Sequence, residues 1–162
     1  MNQMQPVQMD GDYHTFMDYP VQFSLPGIIV PQHVFNPSLR LPPKEPVRFV
    51  CNGKLGIRLS DALNARYAGL QNNTQQRALM PDGAPVFTFT IHWPGYSVWQ
   101  QSGNSPQMQA LSISQIANTT AKLTALFLRK TAESGAKSTE PNWEIANIAI
   151  ESLFLLELRN VG

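Results

Sequence analysis

Pro85-Val86-Phe87-Thr88-Phe89-Thr90-Ile91-His92-Trp93-Pro94-Gly95-Tyr96-Ser97-Val98-Trp99 reads as one strand running into a sharp aromatic turn. Phe87, Phe89, Ile91 and Trp93 fall on one face, and Val86, Thr88, Thr90 and His92 on the other. Period-2 alternation of aromatic, β-branched and Thr residues is a strong strand signal. Pro94-Gly95 stops the ladder, because proline has no N–H to donate and glycine accepts a positive φ. A strand this well marked predicts a sheet, and the helices expected after it make the fold class α+β.

Working outward toward the amino end, Pro81-Asp82-Gly83 is a turn signature, preceded by a polar stretch from Gln71. Ser60 is the expected N-cap of a helix, with Asp61 favourable at its positive end. Leu63, Tyr67 and Leu70 recur on one face of that helix, and Asn72-Asn73 should end it. Val47-Arg48-Phe49-Val50-Cys51 predicts a short strand, turned by Asn52-Gly53, where both residues tolerate positive φ. Before residue 47 the chain changes character. Eight of its 13 prolines lie in residues 1–46, and no Lys or Arg appears before Arg40, so no regular core element is expected there. Residues 1–20 read as a flexible tail and 21–46 as a Pro-rich extended arm. Prolines around Phe23 and Ile29 leave room for short edge strands only. Residues 47–162 are expected to form a single compact α+β domain.

Toward the carboxyl end, Gln100 to Ala110 reads as a loop. Ser112-Ile113-Ser114-Gln115 fits a capping box. Ile113, Ile116, Ala117, Thr120, Leu123 and Phe127 then share one helical face. Arg129 and Lys130 complement the dipole at its end, and Gly135 and Lys137 mark a linker. Pro141 suits the first turn of a last helix. Trp143, Ile145, Ile148, Ile150, Leu153, Phe154, Leu155, Leu156 and Leu158 leave that helix almost no polar face, although Leu153–Val161 also suits a strand. The expectation is a small sheet packed on two or three helices.

Composition narrows the function classes. A formal net charge of +1 gives no global field to recruit nucleic acid or an anionic membrane. Charged residues are 14% of the chain, below the ~25% of typical soluble domains. A Gln/Asn/Thr-rich surface of this kind points to self-association or a partner. The single cysteine, Cys51, excludes an internal disulfide framework and a cysteine-based zinc site, and reads as a small buried hydrophobe. No apolar run approaches the ~20 residues of a membrane span, and no secretory signal opens the chain. An intracellular setting, cytoplasmic or nuclear, is expected, with no membrane association.

Catalytic and metal patterns are weak. Asp10, Asp12, His14 and Asp18 fail the calcium-loop spacing, because His14 and Val21 occupy ligand positions. His14, His33 and His92 have no metal or nucleophile-elbow spacing. No catalytic residue, metal ligand or cofactor site is therefore assigned, and the chain is not expected to be an enzyme. A convergent site around His92 is the remaining enzymatic alternative. Gly53-Lys54-Leu55-Gly56 matches the backbone-clamping GXXG loop of KH domains, yet KH domains place a helix before that loop and here a strand precedes it. Lys54, Arg58, Lys122, Arg129, Lys130 and Lys137 are the candidate contacts if the chain is instead a nucleic-acid-binding regulator. The alternative for the last four is an ordinary solvated helix face and linker.

The main functional expectation is a non-enzymatic interaction module that associates with itself or a protein partner. Trp93, Tyr96 and Trp99 around the turn, with Leu153, Phe154, Leu156 and Leu158 on the apolar last segment, are the candidate interface residues. Trp and Tyr concentrate at such contacts.

Gly56-Ile57-Arg58-Leu59-Ser60-Asp61-Ala62-Leu63, Ile91-His92-Trp93-Pro94-Gly95-Tyr96 with Trp99, the helix from Ile113 through Phe127 and the Trp143-led segment together look like a family. The pattern, over roughly residues 30–162, resembles a group of uncharacterised fungal proteins of the mushroom lineage. Members carry a low-complexity Pro- and Gln-rich amino terminus before one compact domain, and typically more Arg and Lys near the long helix than this chain has. The resemblance implies a domain boundary and a fungal, intracellular setting. It carries no activity and no functional residue across.

Overall fold

A computed structural model describes residues 27–28, 30, 45–78, 86–104 and 110–159. The expected tail over 1–20 and most of the arm lie outside these residues. So do the Pro81-Asp82-Gly83 turn, His14, His33 and the Asp10–Asp18 cluster.

The architecture is α+β. Its strands are β1 (Val47–Arg48), β2 (Val50–Cys51), β3 (Lys54–Leu55), β4 (Ile57–Arg58), β5 (Gln76–Arg77), β6 (Val86–Ile91), β7 (Trp99–Asn104), β8 (Leu111–Ser112), β9 (Phe154–Leu155) and β10 (Glu157–Leu158). Two helices, α1 (Leu59–Leu63) and α2 (Ile113–Glu133), pack against them. Among the described residues the strands form five two-stranded antiparallel ladders.

The carboxyl-terminal segment organises the first of the two cores. Val47 pairs with Leu158 and Arg48 with Glu157, and the Phe49 N–H donates to the Leu156 carbonyl at 2.9 Å. Ile57 pairs with Leu155 and Arg58 with Phe154, and the Leu59 N–H donates to the Leu153 carbonyl at 2.8 Å. Residues 47–49 and 57–59 thus share one partner segment, and residues 50–56 are looped out between them. The extruded piece is the β2–β3 hairpin, closed at its base by Gly56 N–H to Phe49 C=O. Its turn is Asn52-Gly53, with φ of 50° and 76°, which is the geometry that suits a right-twisted two-residue hairpin. The expected strand and turn around Asn52-Gly53 are therefore present, and Lys54 sits on a strand rather than in a phosphate-clamping loop.

The third helix predicted over the last segment does not form. Residues 141–152 make three 3-10 turns, Pro141–Trp143, Ile145–Asn147 and Ile150–Ser152, followed by β9 and β10. An all-apolar run satisfies either conformation. Here the unpaired backbone of β1 and β4 supplies partners that an isolated helix would not use. The helix expected from Ser60 is also shorter, ending at Leu63, so Tyr67 and Leu70 reach the core from a turn instead. Asn118 of α2 fixes that end by donating to the Ala62 carbonyl at 2.8 Å.

The helix α2 forms as its sequence specifies. Ser112 Oγ accepts from the Gln115 N–H, and Gln115 Oε1 accepts from the Ser112 N–H. Ile113, Ile116, Ala117, Thr120, Ala121 and Phe127 are buried along one face. Its amino-terminal half joins Val47, Phe49, Ile57 and Leu59 in the first core, and Phe127 joins Ile91, Trp93 and Ile145 in the second. Among the side chains wholly out of water are Phe49, Phe127, Leu55, Leu59 and Ile116. Each contributes about 1.5–3 kcal/mol by burial.

The β6–β7 hairpin completes the fold. Gln100–Asn104, read as loop, is strand: Thr88 pairs with Ser102 and Ile91 with Trp99. The predicted alternation on β6 holds, with Phe87, Phe89 and Ile91 turned inward and Val86 left 56% exposed. The strand stops at Ile91, before His92 and Trp93.

Candidate interaction surface

The Trp-Pro-Gly-Tyr corner is bound to its own chain. Gly95 has φ of 79° and packs so closely that an added Cβ would sit 2.7 Å from the Glu140 amide nitrogen and would collide with Ser138 Oγ. That approach lets the Gly95 carbonyl accept from the Thr139 N–H at 2.9 Å. Ser138 Oγ reaches the Pro94 carbonyl at 3.2 Å. The Trp93 indole N–H donates to the Trp143 carbonyl at 2.9 Å, and the two rings meet edge to face, 6.2 Å apart. Trp93 and Trp99 both lean on Phe127, at 6.0 and 5.7 Å. Tyr96 Oη donates to Glu144 Oε1 at 2.8 Å and accepts from the Ile145 N–H at 3.1 Å.

This network sets the local charges. The Ser138 N–H and the Tyr96 hydroxyl hold the Glu144 carboxyl below its usual range. Burial, reinforced by Glu144, pushes the Tyr96 phenol up. Elsewhere, burial and the nearby Asp61 carboxylate raise the Cys51 thiol, which lowers its thiolate content and its reactivity.

The sequence-derived interface residues fall into different environments. Trp93 is buried and belongs to the core. Tyr96 and Trp99 are half-buried against Glu144 and Phe127. Leu153 packs against both cores, and Leu158 against the first. Phe154 lies under the Arg58 guanidinium, 5.3 Å from its ring centre. Leu156 is half-buried, and its carbonyl is occupied by Phe49. The apolar excess that sequence assigns to a last helix is thus largely absorbed by the chain's own strands.

The candidate nucleic-acid contacts lie on several elements. Lys54 is exposed on β3. Arg58 is engaged by Phe154 and by the Glu151 carbonyl at 3.3 Å. Lys122, Arg129 and Lys130 are exposed on α2, with Arg129 paired to Glu133, and Lys137 is exposed beyond it. His92, the focus of the enzymatic alternative, is half-buried beside the corner. Among the described residues no three His, Cys, Asp or Glu side chains form a metal-holding group. No helix among them is long and apolar enough to cross a membrane.

The surface that sequence reasoning missed is the β6–β7 hairpin. Its outward residues are Val86, Thr88, Thr90, Gln100, Ser102 and Asn104, with Thr88 Oγ1 and Ser102 Oγ hydrogen-bonded at 3.2 Å. Gly103 faces Phe87, whose ring occupies the space a side chain would fill. Neither strand contains a charged residue or a proline. Each pairs with the other and, among the described residues, with no third strand. Sheet edges in natural proteins are commonly guarded by Lys, Pro or a bulge. The Gln/Ser/Gly composition of β7 concealed it. The available signal was period-2 spacing of Trp99, Gln101 and Gly103 opposite an already evident strand.

The chain matches no protein-family model, no curated protein and no solved structure.

Proposed function

We propose that this chain is a non-enzymatic self-association module whose contact is made by the β6–β7 hairpin. The observation that carries the reading is an uncharged, proline-free hairpin of six residue pairs with no third strand beside it among the described residues. A strand meeting its own copy in antiparallel fashion sets residue i against j and j against i, so a charge near the two-fold axis would confront its like. Val86–Ile91 and Trp99–Asn104 carry none. Pairing of this kind is self-complementary under a two-fold axis and satisfies the outer backbone N–H and C=O groups. Val86 and Val98, each more than half exposed, add apolar surface nearby. The half-buried Tyr96 and Trp99 lie at the turn end of the same hairpin and form the rim of the proposed contact. The fungal, intracellular setting implied by the family resemblance is part of the proposal and rests on the residues quoted for it.

Light scattering across a concentration series tests this. The wild-type chain is expected to move from monomer to dimer mass. The double variant Thr88→Lys, Gln100→Lys, which guards both edges, is expected to stay monomeric with an unchanged circular dichroism spectrum. A wild-type chain that is monomeric at every concentration overturns the reading. So does a variant that dimerises as the wild type does.

A further inference from the structure

A groove of about 200 Å³ that includes no hairpin residue in its lining is formed by residues of β1, β2, the turn through residues 71–75, β5 and the start of α2. Its polar lining is Arg48, Arg77, Gln71, Asn72, Gln75 and Glu45. Arg77 is half-buried, and its Nε is out of water with no hydrogen-bond partner. Arg48 Nε is also buried and lies 3.5 Å from Glu157 Oε2, an ion pair without a hydrogen bond. Glu157 is shared, because Arg159 contacts its other oxygen. Two guanidinium groups therefore line this groove; Arg48 Nε faces the equally buried Glu157 Oε2, and the Arg77 Nε–H is the donor that the described residues leave unmatched. A buried donor on a charged group is costly to leave unpaired, and such atoms mark strain, a bound water or a ligand site.

We infer that this groove binds a small polar molecule with an oxyanion head, a phosphate or a carboxylate. The planar guanidinium fork suits either head, and accepts it through paired N–H groups. Gln71, Asn72 and Gln75 offer carboxamides that donate and accept, and Glu45 offers an acceptor. A ligand with hydroxyl groups beside its anionic head uses both sets. The start of α2 contributes no donors of its own here: Ile113 N–H and Ser114 N–H are taken by the Gln75 and Asn73 carbonyls. Recognition thus rests on the two arginines and the carboxamides.

Isothermal titration of the full chain with inorganic phosphate, glycerol phosphate and malate, each against chloride at matched ionic strength, tests the inference. Saturable binding of glycerol phosphate or of malate is expected, and which of the two binds identifies the head. Arg77→Gln is expected to weaken it about tenfold or more, since a hydrogen bond to a charged group is lost. Arg77→Lys keeps the charge but not the fork, and should fall between. If Arg77→Gln does not fold, Arg48→Gln serves as the second neutral variant. Absence of saturable binding by all three probes overturns the inference, as does binding that survives unchanged in Arg77→Gln and Arg48→Gln.

Discussion

Two regions of this molecule invert the usual relation between greasiness and contact. Residues 143–158 are the most apolar part of the chain, yet they are drawn into it by β1, β4 and both cores. Residues 99–104 are Trp-Gln-Gln-Ser-Gly-Asn, mostly polar, yet they and β6 form a hairpin with no third strand beside it among the described residues. The first region has apolar side chains, and its short strands β9 and β10 each pair with one strand over two residues. The second has modest side chains and backbone groups to offer. An interface argument from hydrophobicity alone selects the first. Hydrogen-bond supply favours the second, because a strand edge must pair or meet water and its strands are six residues long against two in β9 and β10.

The largest effect expected lies in the packed region. Trp93→Ala removes the ring between Phe127 and Trp143 together with the indole donor. Unfolding in urea should show a loss of about 3–5 kcal/mol, in the range for large aromatic truncations in a core. A loss below 1 kcal/mol would mean the corner is not closed and would weaken the contrast. Gly95→Ala comes next. It combines a positive φ with collision against the 138–140 backbone, and about 1–3 kcal/mol is expected from the strained backbone conformation alone.

The acid limb of stability sharpens the same point. The folded Glu144 carboxyl is depressed, so its contribution is complete above the ordinary value of 4.5 and is lost as pH falls below it. Tyr96 is raised, so its contribution is complete below 10 and is lost as pH climbs beyond. Thermal melts of Glu144→Gln should show a flatter decline below pH 4.5 than the wild type. A decline of unchanged slope would separate this carboxylate from the corner. The smallest effect is expected in the hairpin. Thr88→Lys with Gln100→Lys should change monomer stability by no more than about 0.5 kcal/mol per site, as surface substitutions usually do.

Much of this was legible in the residues. The alternation of Val86–Ile91, the Asn52-Gly53 turn and the Ser112/Gln115 cap each act locally, so a short window specifies them. The last segment was not legible. Whether Phe154–Leu158 coils or extends depends on β1 and β4, about a hundred residues earlier, whose edges exist only once the chain has folded. Separation in sequence hid the groove arginines as well. Arg48 and Arg77 line one groove because β1 and β5 come together in the fold. Trp93 was read partly as an interface residue because sequence shows an aromatic at a turn but not the Phe127 ring waiting for it.

Hydrogen–deuterium exchange at low and high protein concentration addresses the central claim most directly. Amides of Val86–Ile91 or Trp99–Asn104 should exchange more slowly as concentration rises, while those of 153–158 stay equally protected throughout. Concentration-dependent protection confined to 153–158, or absent everywhere, would contradict the account.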